Sequence, residues 1–166
     1  MKYKWIRFDL EGMSIKLRVY GYDEDNEWVK TSWKFKFEDI IYYERDHEEV
    51  FTQDCVDYLI EYLKKHLNNK IKREKTIGFF EPDFKFVFKP HERILDPILK
   101  DGSGFDVDIL MELHVYFWHK GATDNYFSMA FKRKDIERLY DYLIDIRKIG
   151  RREMQKSKYT NFDKKC

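Results

Sequence analysis

Hydrophobic and polar positions alternate through the first third of the chain. Ile15, Leu17 and Val19 alternate with Lys16 and Arg18, the period of two that gives a strand one buried and one wet face. Residues 3–10 alternate more weakly and predict a strand before it. Trp33, Phe35 and Phe37 point one way and Lys34 and Lys36 the other, which predicts a long strand with Ile40 to Tyr43 as its continuation. Gly21-Tyr22-Asp23-Glu24-Asp25-Asn26 supplies the turn residues between these runs. Glu44-Arg45-Asp46-His47-Glu48-Glu49 reads as a charged loop.

The period then changes. Val56, Leu59, Ile60, Leu63 and Leu67 recur at helical spacing behind Thr52, a residue that can cap a helix N-terminus, and Asn68-Asn69 is a stop. A helix over 52–68 follows. Beyond it Ile77 to Phe80 is a short strand. Glu81-Pro82-Asp83 breaks it, because proline has no ladder donor. Phe84, Phe86 and Phe88 then line one face of the next strand. Residues 90–104 read as a loop. Alternation over 106–119, a turn at Gly121 to Asn125, and Phe127, Met129 and Phe131 predict a hairpin over 106–131. Ile136, Leu139, Tyr140, Leu143 and Ile144 predict a second amphipathic helix starting near Arg133 to Asp135, with Gly150 a place for it to fray. The two helical segments, 55–63 and 136–144, have similar patterns, so the second half repeats the plan of the first.

The order strands, helix, strands, helix defines an α+β fold. The expectation is a mostly antiparallel sheet of about six strands with two amphipathic helices packed on one face. At 166 residues a single domain over 1–149, followed by a basic tail over 150–166 that is helical or disordered, accounts for the length. The core is aromatic, with 14 Phe, 12 Tyr and 4 Trp. Charged residues make up 38% of the chain, so folding depends on sharp segregation of faces rather than on overall hydropathy.

The net charge of +1 names no partner, but its distribution is uneven. Residues 1–60 carry 9 basic and 14 acidic residues, whereas 147–166 carry 8 basic and 2 acidic ones. Asp23, Glu24, Asp25 and Glu27 in one predicted loop, and Glu44, Asp46, Glu48 and Glu49 in another, could meet at neighbouring hairpin ends. Such an acidic patch suits a basic protein partner, although the plain reading of each residue is a solubilising surface. The basic tail, with Tyr159 and Phe162, offers a weaker nucleic-acid reading, against which stands the near-neutral domain. Cys55 and Cys166 have no CxxC spacing. The basic N-terminus lacks the apolar run of a signal peptide, and no stretch reaches the roughly 20 apolar residues of a membrane span. A cytoplasmic protein is the expectation.

Catalytic signatures are sparse. Pro82-Asp83-Phe84-Lys85 imitates the Asp-x-Lys end of a metal-dependent nuclease site, but such a site needs a second, separate carboxylate. Asp83 and Lys85 therefore stand as an alternative reading only. The five histidines lack the spacing of a shared metal site; His114 and His119, an odd number apart, fall on opposite faces of a regular strand. Serines lack a nucleophile-elbow context, and Gly102-Ser103-Gly104 is not a phosphate-binding loop. The expectation is a non-enzymatic binding protein without metal or cofactor.

Trp33-Lys34-Phe35-Lys36-Phe37 in an early strand, the helix Asp54 to Leu67, Gly78-Phe79-Phe80-Glu81-Pro82-Asp83-Phe84-Lys85-Phe86 and the closing segment Phe127 to Ile146 together resemble the WapI-type immunity proteins and related small bacterial proteins of polymorphic-toxin loci. The resemblance spans about residues 12–147. It implies a protein that neutralises a cognate toxin by direct binding, without catalysis. No functional residues carry over, because the matching positions look structural.

Overall fold

The structure, a computed structural model, describes residues 3–10, 12–22, 28–78, 83–90, 111–118 and 122–162. Four strands come first: β1 (Ile6–Leu10), β2 (Met13–Tyr22), β3 (Trp28–Phe37) and β4 (Ile41–Thr52), followed by α1 (Gln53–Leu67). Four more follow: β5 (Lys75–Gly78), β6 (Phe84–Phe88), β7 (Met111–Trp118) and β8 (Ala122–Phe131), and then α2 (Arg133–Phe162). The expected α+β class with two amphipathic helices is what the chain adopts. Among the described residues there are eight strands, and they form two antiparallel meanders, β1-β2-β3-β4 and β5-β6-β7-β8.

The sheets meet through aromatic rings. Register places Phe8, Ile15, Phe35 and Tyr43 in one inner row of the first sheet, and Ile6, Leu17 and Trp33 in the next. Phe86, Leu113 and Met129 form an inner row of the second, flanked by Phe84–Val115–Phe127 and Phe88–Met111–Phe131. Across the seam Trp33 lies 4.9 Å from Phe84, Phe8 4.7 Å from Phe131, and Phe35 5.2 Å from Phe127, measured between ring centroids. Such tilted pairs add to the burial of large rings. The seam leaves a void of about 10 Å³ between Phe8, Leu17, Phe84, Phe131 and Leu139, about the size of one water.

The helices pack against one another, and α2 also lies against β1, β2 and β8 and α1 against β4. Buried residues recur with the same spacing on both: Val56, Leu59, Leu63 and His66 on α1, and Ile136, Leu139, Leu143 and Ile146 on α2. Thr52 caps α1, its hydroxyl accepting from Cys55 N at 3.2 Å. At the other end Asn69 sits at φ 55, the left-handed conformation that asparagine tolerates, with Asn69 N bonded to His66 O and Lys70 N to Lys65 O. The paired asparagines read as a stop thus close a Schellman-type turn. Arg147 on α2 reaches Asp57 on α1 at 3.3 Å, and Arg133 donates to Leu67 O. The helix does not stop at Gly150 but runs to Phe162, so most of the segment read as a tail belongs to α2.

Two local expectations change. Ile40–Tyr43 does not continue β3, and 44–49 is not a loop. The chain turns at 38–40, where Glu38 adopts φ 45 and its N–H bonds to Gly12 O, and returns as β4 with Phe37 opposite Ile41. The run reads as polar because the inward positions of this edge strand are only half-buried and include Arg45. Only alternate residues, Ile41, Tyr43 and Arg45, turn inward, so Tyr42, Glu44 and Asp46 stay wet. The expected hairpin over 106–131 is present between Met111 and Phe131; residues 106–110 and 119–121 lie outside the described ones.

Candidate binding face on the first sheet

The register that buries the aromatic rows places the intervening residues on the opposite, outer face. One cross-strand row reads Arg7 (β1), Lys16 (β2), Lys34 (β3), Glu44 (β4); the next reads Asp9, Ser14, Lys36, Tyr42. Arg18 lies one step further along β2, opposite Ser32. A shallow depression of about 670 Å³ opens here, lined among others by Trp5, Arg7, Lys16, Lys34, Lys36 and Tyr42. Tyr42 is 64% exposed and Trp5 36%.

Each margin of the face is held by ion pairs. Arg7 meets Asp9 at 2.6 Å, Lys34 meets Glu44 at 2.5 Å and Lys36 meets Asp39 at 2.8 Å. The Tyr42 hydroxyl donates to Glu44 at 2.6 Å. Lys34 and Tyr42 together hold the Glu44 carboxyl below its ordinary value, and Glu44 in turn pushes Lys34 up. Lys16, in the middle, has no ion-pair partner among the described residues and stands between Arg7 and Lys34. Like charges directly across a sheet are destabilising. The Arg18 guanidinium sits 4.6 Å from the centroids of both Trp5 and Tyr20, so two rings fix its plane. Ser32 is bonded to the Tyr20 hydroxyl at 3.0 Å and donates to the Asp46 carboxylate, which can only accept.

The acidic residues predicted to form a partner site are thus divided. Glu44 and Asp46 lie on β4 and are engaged with Lys34, Tyr42 and Ser32. Glu48 lies on the same strand, and Glu49 is exposed there. Asp23, Glu24, Asp25 and Glu27 lie outside the described residues, so the meeting of the two acidic groups is not on view. The basic face was present in the sequence only as the polar half of each alternation. Its signal was that the polar positions of β2 and β3 are basic at Lys16, Arg18, Lys34 and Lys36, but their juxtaposition depends on the register between the strands.

The alternative metal site is not assembled at an accessible surface. Asp83 is 1% exposed where the chain enters β6, its carbonyl accepting from Tyr116 N. Lys85 is half-buried on the outer side of the second sheet, over the Tyr116 ring at 5.2 Å. Glu81 and Pro82 lie outside the described residues, and among those described no group of three potential metal ligands is gathered.

The outer side of the second sheet carries one further polar cluster. Glu112 accepts from Lys89, from His114 Nε2 at 2.9 Å and from Ser128 at 3.3 Å, while His114 stacks on Tyr126 at 4.5 Å. Serine and histidine both address the same carboxylate, so this is no nucleophile–base relay. Lys89 and His114 hold the Glu112 carboxyl below its ordinary value. A depressed folded-state pKa contributes stability above the unfolded value, and that contribution disappears as pH falls through the folded one. Glu112→Gln is therefore expected to lower the melting temperature at pH 7, with the difference from wild type shrinking below about pH 4, near the ordinary glutamate value. Thermal melts between pH 2.5 and 7 check it; a difference constant across that range would contradict the assignment.

No family model, curated protein or solved structure matches the chain in comparisons with known proteins. No helix among the described residues is long and apolar enough to cross a membrane.

Proposed function

We propose that this protein is a non-catalytic binding protein that neutralises a protein toxin by covering it, as the immunity proteins it resembles do. The observation that carries the reading is the outer face of the first sheet. It is four strands wide, and it presents exposed Trp5 and Tyr42 beside the row Arg7–Lys16–Lys34. Aromatic and arginine side chains are the usual anchors of protein interfaces. A lysine placed between two other cations does nothing for folding, whereas it suits a surface completed by a second molecule. The doubled sheet beneath, locked by its aromatic seam, gives that face a rigid support, which lowers the entropy lost on association.

The test is co-expression with the variable C-terminal domain of a large secreted protein encoded immediately upstream. The expected result is restored growth and co-elution of the two chains on size exclusion. Continued growth arrest with separate elution, or the lack of any such neighbouring gene, would count against the reading.

A further inference from the structure

We infer that the partner presents an acidic surface, and that it docks on the outer face of the first sheet. This rests on the binding-protein reading above and gives the opposite sign from the acidic loops that the sequence put forward. Of the nine Lys and Arg residues among residues 1–60, five (Arg7, Lys16, Arg18, Lys34 and Lys36) share this one face, although the same stretch contains 14 acidic residues. Four of the five lie on the central strands β2 and β3. The carboxylates of the face lie at its rim, Asp9 on β1, Glu44 and Asp46 on β4, and Asp39 in the turn between β3 and β4. The face is therefore a basic centre between two acidic margins.

That layout favours a folded acidic patch over a nucleic acid. An extended polyanion crossing the sheet would pass over a carboxylate margin on either side. A compact protein surface with carboxylates at its middle and cations around them meets each element of the face with the opposite charge. Arg18 is prepared for such a contact, since Trp5 and Tyr20 already hold its guanidinium and less freedom is lost when a carboxylate arrives. Lys16 gains most, because an anion would offset its two like-charged cross-strand neighbours.

The experiment is calorimetric titration of three full-length proteins with the toxin domain, at 50 and 300 mM NaCl. The proteins are the wild type, Lys16→Glu/Lys34→Glu on the sheet face, and Asp23→Lys/Glu24→Lys in the acidic turn that the sequence predicts. The face variant is expected to bind on the order of 100-fold more weakly at 50 mM NaCl with unchanged circular dichroism, and the turn variant within about threefold of wild type. Lys16→Gln/Lys34→Gln should fall between, which separates lost charge from misfolding. If the face variant binds like wild type and the turn variant does not, the docking surface is the acidic one. The present inference is then overturned, while the binding-protein reading stands. If wild type ignores the toxin domain, both fail. If wild type instead shifts a labelled 12-nucleotide single-stranded RNA through the same lysines, the face is a nucleic-acid surface and the acidic protein partner is excluded.

Discussion

Trp33→Ala is expected to cost about 3–5 kcal/mol, the range for removing a buried large aromatic. A domain of this size has only about 5–15 kcal/mol in total, so the variant stands close to unfolding at 37 °C. Trp33 is fully buried at the middle of β3, 4.9 Å from Phe84 across the seam and 5.2 Å from Tyr43 beside it. Alanine would remove the ring on which both halves of the molecule close. Trp33→Phe separates packing from polarity. The indole N–H is buried without a hydrogen-bond partner among the described residues, so phenylalanine loses some volume but also relieves an unmet donor. Its expected cost is below about 1.5 kcal/mol, in the range of tolerated apolar exchanges. Urea unfolding followed by far-ultraviolet dichroism measures both. Equal losses in the two variants would show that the N–H is satisfied and the ring is not the keystone.

Tyr142→Phe is the second large effect. β1 pairs with β2 only as far as Ile6 opposite Leu17, so β2 continues past the end of its neighbour. There the Tyr142 hydroxyl from α2 takes over, accepting from Val19 N at 2.9 Å and donating to Lys4 O at 3.0 Å. One side-chain oxygen thus bridges the two strands where the backbone ladder ends. Phenylalanine leaves both groups without that partner, at about 1–3 kcal/mol. Burial pushes the phenol up to about 12. A raised folded-state pKa means the contribution is complete below the unfolded value of about 10 and is lost as pH rises through 12. The stability gap between wild type and Tyr142→Phe should therefore be constant from pH 7 to 9 and close between about pH 10 and 12. Denaturant midpoints across that range decide it, and a gap that persists to pH 12 would place the phenol in water.

The periodicities that defined the elements were legible because each reflects one face of one element. The apolar positions of Ile15–Val19, Phe84–Phe88 and Val56–Leu63 are buried as their spacing requires, as are Trp33 and Phe35, with Phe37 half-buried at the strand end. What could not be read was how the elements meet. Glu44 to Glu49 hid a strand because at the sheet edge even the inward positions are only half-buried, and one of them is Arg45. The division into two sheets was hidden for a related reason: an alternating pattern says that one face is covered, not by what. A helix and a second sheet leave the same trace. The basic face has the same origin. Lys16 and Lys34 are each an ordinary wet residue in their own strand, and become a charged row only through register. The Glu81-Pro82-Asp83 break, which carries much of the family resemblance, lies largely outside the described residues; Asp83, which is described, is buried.

The meander order has a kinetic side. Among the described residues every strand pairs with its neighbour in sequence, so the first sheet and the β7–β8 pair can grow hairpin by hairpin, events that take microseconds in isolation, while β6 and β7 must close over residues 89–110. The aromatic seam is different in kind, joining Phe8 to Phe131 and Trp33 to Phe84 across long stretches of chain. Local pairing is fast and docking of the preformed sheets is the step with the large entropic barrier. Until it occurs, both sheets show their rings to water, and the chain is at its most vulnerable to sticking to another copy of itself.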